Sequence, residues 1–315
     1  MELSLADYVA LGEQLRDPNP NITSQRQRAL GFADYLFSLY PNDPEVIALR
    51  ARHARMAGQL PDALSLITHG LSLHGDHPAL LRLHYDLQRQ IGDHAGADQT
   101  LLMLFLNDET AGQISEYLRQ TDTPRVVLGP GEHFYPGWLH LDLCPNDARY
   151  VSFDAREALF IPSDAMNMVF SEHMIEHISY DQGLFLAHEI FRVLKPGGRV
   201  RLATPDLARI CSLAADTLNE TQQNYVNFIN KSFGGDFNNR ATFPINNMFF
   251  TYNHAFVYDE ITLRELLERV GFTAVERCMP RASQYAELNN LEMHHLLGHP
   301  WIEDFQTLVV EARKP

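Results

Sequence analysis

The sequence is poor in cysteine and in positive charge, and both shortages narrow what the protein does. Three cysteines (Cys144, Cys211 and Cys278) stand far apart among 315 residues, with no C-x-x-C pair. Neither a disulfide framework nor a cysteine zinc site is indicated, and three reduced, partly buried thiols are expected. Twenty-five Lys and Arg face 40 Asp and Glu, for a formal net charge of −15. That argues against a nucleic-acid partner, because such binders gain affinity by setting Lys and Arg against phosphates. A small molecule, a neutral sugar or a protein suits the charge better. Long apolar runs are also missing: no window reaches transmembrane length, and the opening M-E-L-S-L-A-D-Y has no basic stretch followed by a continuous apolar one. The expectation is a globular, cytoplasmic protein with no membrane partner, and the length allows two domains.

What is abundant first is helical pattern, from about Ser24 to Gln120, and it repeats. Pro44 recurs as Pro78, Leu49 as Leu83, Gly58 as Gly92 and Ala63 as Ala97, always 34 residues apart. In each unit the Pro starts a first helix, the Gly permits a sharp turn, and the small Ala lets the second helix pack closely. Residues 22–40 read as a degenerate preceding helix pair and 100–118 as a closing helix. The period and these residues resemble tetratricopeptide repeats. The resemblance implies stacked helical hairpins with a groove for a protein partner or for a second copy of the chain. The polar, Pro-bearing Thr121-Asp-Thr-Pro124 marks the boundary, so the helical module is expected over 1–120 and a second domain over 125–315.

The second domain opens on the stretch around which the rest is arranged, R-V-V-L-G-P-G-E-H-F-Y-P-G-W-L-H-L-D from Arg125 to Asp142. A short apolar run meets a Gly129-Pro130-Gly131 turn, and a second apolar run ends in a carboxylate. Glycines let backbone approach a ligand where a Cβ would collide. A carboxylate at the end of the next strand accepts hydrogen bonds from a ribose diol. Strand, glycine turn, strand and acid therefore read as a nucleoside-cofactor pocket at the top of a parallel sheet. Only ten residues separate Gly131 from Asp142, too few for a full crossover helix.

Further strands are expected at Tyr150–Phe153, ending in Asp154, and at Ala165–Phe170, followed by Ser171-Glu-His173. A helix is expected from about Ile175 to Leu194, stopped by Lys195-Pro-Gly-Gly198, with a strand over Arg199–Ala203. Strands alternating with helices imply a doubly wound sheet. Residues 206–253 break this pattern. They are rich in Asn and rings (Phe228, Phe233, Phe237, Phe243, Phe249, Phe250) and carry Gly234-Gly235, which reads as a hinged lid over an acceptor. The pattern returns with a helix from Asp259 to Val270, a strand over Phe272–Cys278 and a last strand over Phe305–Ala312.

The run F-R-V-L-K-P-G-G-R-V-R-L-A-T-P-D at 191–206, with S-E-H-M-I-E-H-I before it and V-L-G-P-G…G-W-L-H-L-D upstream, resembles the class I S-adenosylmethionine-dependent methyltransferases. Within them it looks like the bacterial small-molecule branch linked to cell-surface sugars. The resemblance covers about Arg125 to Pro315. It implies a Rossmann-like α/β domain with a last strand antiparallel to its neighbour, and S-adenosyl-L-methionine as cofactor. By the same resemblance Leu128, Gly129, Pro130 and Gly131 hold the methionine part. Asp142 with Leu143 meets the ribose, Asp154 with Ala155 meets the adenine, and Ser171 and Glu172 line the floor beside His173. Two positions depart from the family pattern: Val127 stands where an acid is usual, and His133 where a third glycine is usual. Glu132 or Glu172 is then the group left to meet the methionine amino group.

Transfer of a methyl group from a sulfonium asks the enzyme mainly to align the acceptor and exclude water. A hydroxyl acceptor, of a sugar or related metabolite, also needs a base, and histidine serves near neutral pH. His173 is the first candidate, followed by His177 and His254. No metal is expected. Four competing readings remain. A methyltransferase helped by a divalent metal would take Asp206 or the distal histidines of 280–304 (His294, His295 and His299) as ligands. His173-Met-Ile-Glu176-His177 spells H-x-x-E-H, the inverted zinc-peptidase signature. A dinucleotide oxidoreductase would need a third glycine where Phe134 stands. The absent acid at Val127 also leaves room for a non-catalytic scaffold in which the helical module binds a partner.

Overall fold

The computed structural model describes residues 4–14, 23–145, 147–232, 240–294 and 299–315. Gly234-Gly235, Phe233 and Phe237, which the sequence marked as hinge and rings, lie outside the described residues, as does His295. The chain divides into two compact units, Met1–Glu116 with Phe160–Pro162, and Tyr117–Leu159 with Ser163–Pro315. Among the described residues no helix is long and apolar enough to cross a membrane. Cys144 and Cys211 are exposed and Cys278 half-buried, so the thiols lie nearer the surface than expected.

The first unit is all helix. After α1 (Leu5–Gln14) and α2 (Thr23–Leu39), the 34-residue period becomes two hairpins. These are α3 (Pro44–Met56) with α4 (Leu60–His74), and α5 (Pro78–Ile91) with α6 (His94–Asn107). Gly58 and Gly92 take up matching left-handed conformations, φ +79° and +80°. Leu49, Leu83, Ala63 and Ala97 are all buried, so the repeated residues hold repeated positions. Two expectations need correction. The described part of 22–40 forms the single helix α2 rather than a pair, and the chain stays helical through Gly31 at its middle. The closing helix is two, because the chain is extended at Asp108 between α6 and α7 (Glu109–Gln120). There the Asp108 carboxylate accepts the Ala111 N–H at 3.0 Å and the Arg82 guanidinium, which fixes the break.

The second unit is built on a seven-stranded sheet. Its strands are β1 (Arg125–Leu128), β2 (Leu139–Asp142), β3 (Tyr150–Ser152), β4 (Met166–Glu172), β5 (Leu194–Pro205), β6 (Thr273–Cys278) and β7 (Thr307–Arg313). They lie in the order β3-β2-β1-β4-β5-β7-β6. The first five run parallel, and β7 is antiparallel to both β5 and β6. Helix α8 (Tyr180–Val193) joins β4 to β5, α12 (Glu260–Val270) precedes β6, and α13 (Pro300–Gln306) precedes β7. Between β5 and α12 lie α9 (Leu207–Cys211), α10 (Glu220–Ser232) and α11 (Thr242–Phe250). Their apolar faces share a core with Val257, Ile302 and Phe305. Helix α12 follows its sequence signals, capped by the Asp259 carboxylate and stopped by Gly271 at φ +113°. Helix α8 starts five residues later than expected. Ser179 accepts the Gln182 N–H while Gln182 reaches back to the Ser179 N–H, a reciprocal cap that leaves Ile175–His177 as a separate 3-10 turn. Likewise β5 begins at Leu194, the L-K-P-G-G segment being already extended.

One row of residues runs in register across all seven strands: Tyr150, His140, Val127, Phe170, Arg201, Glu311 and Glu276. No helix joins β1 to β2, as the ten-residue spacing requires. Leu288 and Leu291 instead pack onto Val127, Phe170, Tyr135 and Trp138. The segment carrying those leucines is fastened by Arg201, whose side chain is wholly buried. Its guanidinium donates to both Glu292 oxygens (2.6 and 3.0 Å), to Glu311, and to the carbonyls of Ala282 (3.1 Å) and Met279 (3.2 Å). All five of its donors are used. Substituting Arg201→Met should cost about 3–5 kcal/mol of unfolding free energy, since Glu292 and Glu311 would keep buried charges with nothing opposite them. Urea denaturation measures this, and a loss near zero would show the triad to be unimportant.

Candidate active site

The site grows out of the carboxyl ends of β1 and β4, where the strand order reverses. Connections from these neighbouring strands leave in opposite directions, which opens a crevice suited to a ligand. A cavity of ≈ 660 Å³ lies there, with the Gly129–Gly131 turn, Glu172, His173, Glu176, His177 and His254 in its wall. Gly129 sits at φ +67°, and a Cβ built on it would come within 2.5 Å of the Met174 side chain. Gly131, at φ +58°, has open space where a Cβ would stand. The turn is therefore closed on one side and clear on the other. Asp142 fixes it, its carboxylate accepting the Gly131 N–H and the Cys144 N–H, both at 3.0 Å.

The loop after the turn is held by rings rather than by a helix. Phe134 stacks on His140 (4.9 Å, 6°) and His140 on Tyr150 (4.7 Å, 7°), while the Arg149 guanidinium lies 3.8 Å from the centre of Phe134. Two hydrogen bonds tie the loop backbone to the same stack. The Tyr135 N–H donates to His140 Nε2 at 2.8 Å, and the Tyr150 hydroxyl donates to the His133 carbonyl at 2.8 Å. His140 Nε2 must therefore carry no proton.

His173 follows β4 directly at φ +48°, a left-handed conformation that turns the chain out of the sheet. Its Nδ1 lies 3.1 Å from Glu176 Oε1. A carboxylate only accepts, so Nδ1 holds the proton, and in the neutral ring Nε2, 3.4 Å from the Thr307 hydroxyl, holds the lone pair. The His294 ring packs on it with centroids 4.1 Å apart. Burial disfavours charge on His173, but the hydrogen bond to Glu176 and the carboxylates of Glu176, Glu172 and Glu292 outweigh it and raise its pKa above the ordinary histidine value. Glu176 is itself buried, and although burial opposes its charge, the bond to His173 and the nearby imidazoles hold it below the ordinary carboxylate range. Its second oxygen accepts the Thr204 hydroxyl at 3.0 Å.

The other sequence candidates divide. Glu172 lines the cavity, but its oxygens accept the N–H groups of Met293 (2.9 Å) and His294 (3.0 Å), and burial pushes its pKa up. Leu128 is buried, and Ser171 bonds to the Leu128 carbonyl at 3.0 Å, fastening β4 to β1 beneath the cavity wall. Asp142 and Ala155 are half-buried and Leu143 exposed, outside that wall. Both Asp154 oxygens are taken up by the Arg156 guanidinium. Val127 is 1% exposed within an apolar cluster, which is why no acid stands there. H-x-x-E-H does not lie on an α-helix: His173 leaves β4 with positive φ and His177 ends a 3-10 turn, so the zinc-peptidase arrangement of two imidazoles one α-turn apart does not form. Sequence reasoning missed Tyr135, Thr307 and the positioning role of Glu176, and it marked His294 only as a distal histidine, not as a ring packed on His173. No local pattern connects these residues, three of which come from distant segments.

Residues 138–202 match the family model of a methyltransferase domain. With β1 to β5 parallel and β7 antiparallel between β5 and β6, the domain has the Rossmann-like sheet of the class I methyltransferases, preceded by an all-α module. Three solved structures are similar. An S-adenosylmethionine-dependent methyltransferase of Archaeoglobus fulgidus is 14% identical over 68% of this chain and 98% of its own, with a TM-score of 0.35. A phosphoethanolamine N-methyltransferase 2 of Haemonchus contortus, in complex with S-adenosyl-L-methionine, is 18% identical over 72% of this chain and 60% of its own, with a TM-score of 0.34. A possible exported protein of Bordetella parapertussis is 16% identical over 99% of this chain and 95% of its own, with a TM-score of 0.37. TM-scores this low leave the strand order and the family match as the basis for the fold. No curated protein matches the chain.

Burial lowers the His140 pKa below the ordinary histidine value. A histidine whose folded pKa is depressed adds stability that is present above the unfolded pKa of about 6.5 and lost as pH falls through the folded value. The urea midpoint should therefore fall on acidification below about pH 6.5, and fall less steeply in His140→Gln. Identical slopes in the two proteins would show that His140 does not titrate on unfolding.

Proposed function

We propose that the chain is an S-adenosylmethionine-dependent methyltransferase that acts on a hydroxyl of a small molecule or sugar. The observation that carries this reading is the meeting, in one cavity, of a glycine turn at the end of β1 and a carboxylate-oriented histidine at the end of β4. The residues present suit the cofactor. Gly131 leaves clear space beside the turn, and Asp142 has lone pairs beyond the two N–H groups it already accepts. Gly129 to Gly131 would hold the methionine part and Asp142 the ribose.

When bound, the cofactor supplies a methyl group on a positively charged sulfur. The protein's own contribution is alignment, exclusion of water and removal of a proton. His173 Nε2 would accept the acceptor's hydroxyl proton, with Glu176 holding Nδ1–H and stabilising the imidazolium that results. Tyr225, Phe228 and Tyr252, from the helical insertion and its end, supply ring faces to the same cavity, which suits a flat or ring-shaped acceptor. The closing of Asp154 by Arg156 supports a second reading, a scaffold that has lost cofactor binding.

Calorimetric titration with S-adenosylmethionine separates the two. The wild type should bind, and Asp142→Ala should bind roughly 10–100-fold more weakly, through loss of charge-assisted hydrogen bonds. His173→Asn should keep the cofactor affinity while transfer of labelled methyl to hydroxylated acceptors falls by about 10²–10⁴. No binding by the wild type would favour the scaffold, and equal binding by Asp142→Ala would overturn the ribose assignment.

A further inference from the structure

We propose that Glu176, His177 and His254 form a binding site for one divalent transition-metal ion at the cavity wall, a set of ligands different from the Asp206 and distal histidines that the sequence offered. Each offers a ligand atom, and these atoms all lie within 4.8 Å of one another. All three residues line the cavity, so an ion among them has its remaining coordination positions turned toward bound acceptor.

Three independent features make this more than a chance grouping. The backbone is fixed, since the N–H groups of Ala255 and Phe256 both donate to the Glu176 carbonyl, at 2.7 and 3.1 Å. That places His254 beside Glu176 and His177 although 78 positions of sequence separate it from Glu176. The His254 ring is also oriented as a ligand requires. Its Nδ1 donates to the Met248 carbonyl at 2.6 Å, which leaves the Nε2 lone pair free, the outer contact that metal-bound histidines commonly make. Finally, the donors form a suitable set. Two imidazoles and a carboxylate suit Zn²⁺, Mn²⁺, Fe²⁺ or Co²⁺ rather than Mg²⁺ or Ca²⁺, which prefer oxygen alone.

Ligands about 2.0–2.2 Å from an ion stand roughly 3–3.6 Å apart, so the group must contract on binding. His177 supplies that movement: it is exposed, it ends a 3-10 turn, and its ring meets His254 edge-on with centroids 5.0 Å apart. Glu176 keeps its bond to His173 through Oε1, and each carboxylate oxygen has a second lone pair for the ion. The role of the ion rests on the methyltransferase reading above. It would hold an acceptor that offers two neighbouring oxygens, such as a vicinal diol or a 2-hydroxy acid, with one of them close to His173. Binding of the ion itself does not depend on that reading.

The test strips the full-length protein with a chelator and titrates it with Zn²⁺, Mn²⁺ and Co²⁺ by calorimetry, with absorption spectra for Co²⁺ and a parallel titration with S-adenosylmethionine. The expected result is about one ion per chain, lost by more than about a hundredfold in affinity in His177→Ala and His254→Ala and unchanged in His69→Ala, an exposed histidine on α4. His177→Ala is the decisive variant because its exposed side chain can be removed without opening the core. Absence of metal binding, or equal binding by His177→Ala and the wild type, overturns the site. Metal binding without cofactor binding would leave the site standing and overturn the methyltransferase reading. Cofactor binding without metal binding would do the reverse.

Discussion

The charge of Arg201 is the constraint on which the second unit depends. A guanidinium in the middle of a sheet is tolerable only with every donor satisfied, and the protein meets that demand with two carboxylates and two carbonyls. Three of these four partners belong to residues 279–292. Neutralising Arg201 and anchoring that segment are therefore the same event. Once anchored, the segment lays Leu288 and Leu291 over Val127 and Phe170, covering the face left bare by the short β1–β2 connection. It also delivers the Met293 and His294 N–H groups to Glu172 and the His294 ring to His173.

The cavity carboxylate Glu176 is a second junction. It orients His173, accepts the Thr204 hydroxyl, and through its backbone carbonyl binds the segment that bears His254. A buried residue with this many obligations is hard to replace. Glutamine would keep the shape but put a donor where both side-chain partners need an acceptor or a charge.

Much of the fold was legible in the sequence because its signals are local. The glycine turn, the Asp259 cap and the alternation of strand and helix each depend on residues a few positions apart, and the 34-residue period repeats such local signals. Errors came where a cap redefined a boundary, as Ser179 and Asp108 did. The candidate site was legible only in part. Gly129, Gly131 and His173, which line the cavity, follow from strand ends, while Asp142 ends β2 outside the cavity wall; Arg201 and Glu292 are 91 residues apart and His173 and Thr307 are 134 apart. The string H-x-x-E-H, a competing reading, has a spacing that supposes an α-helix, and the positive φ of His173 prevents one. Val127 looked like a missing ligand but is a core residue whose neighbours arrive from the far end of the chain.

The distances along the chain also set an order of events. During synthesis Arg201 emerges with no counter-charge, and Glu292 and Glu311 follow only 91 and 110 residues later. Until then the sheet is bare over Val127 and Phe170. The amino-terminal helices, whose contacts are local, are free to form early, while the α/β unit waits for the last strand to leave the ribosome. The interval exposes apolar strands with an uncompensated charge among them. Burial of that charge is thus a late checkpoint for this unit: the cavity is complete only once the strand carrying Glu311 has been made.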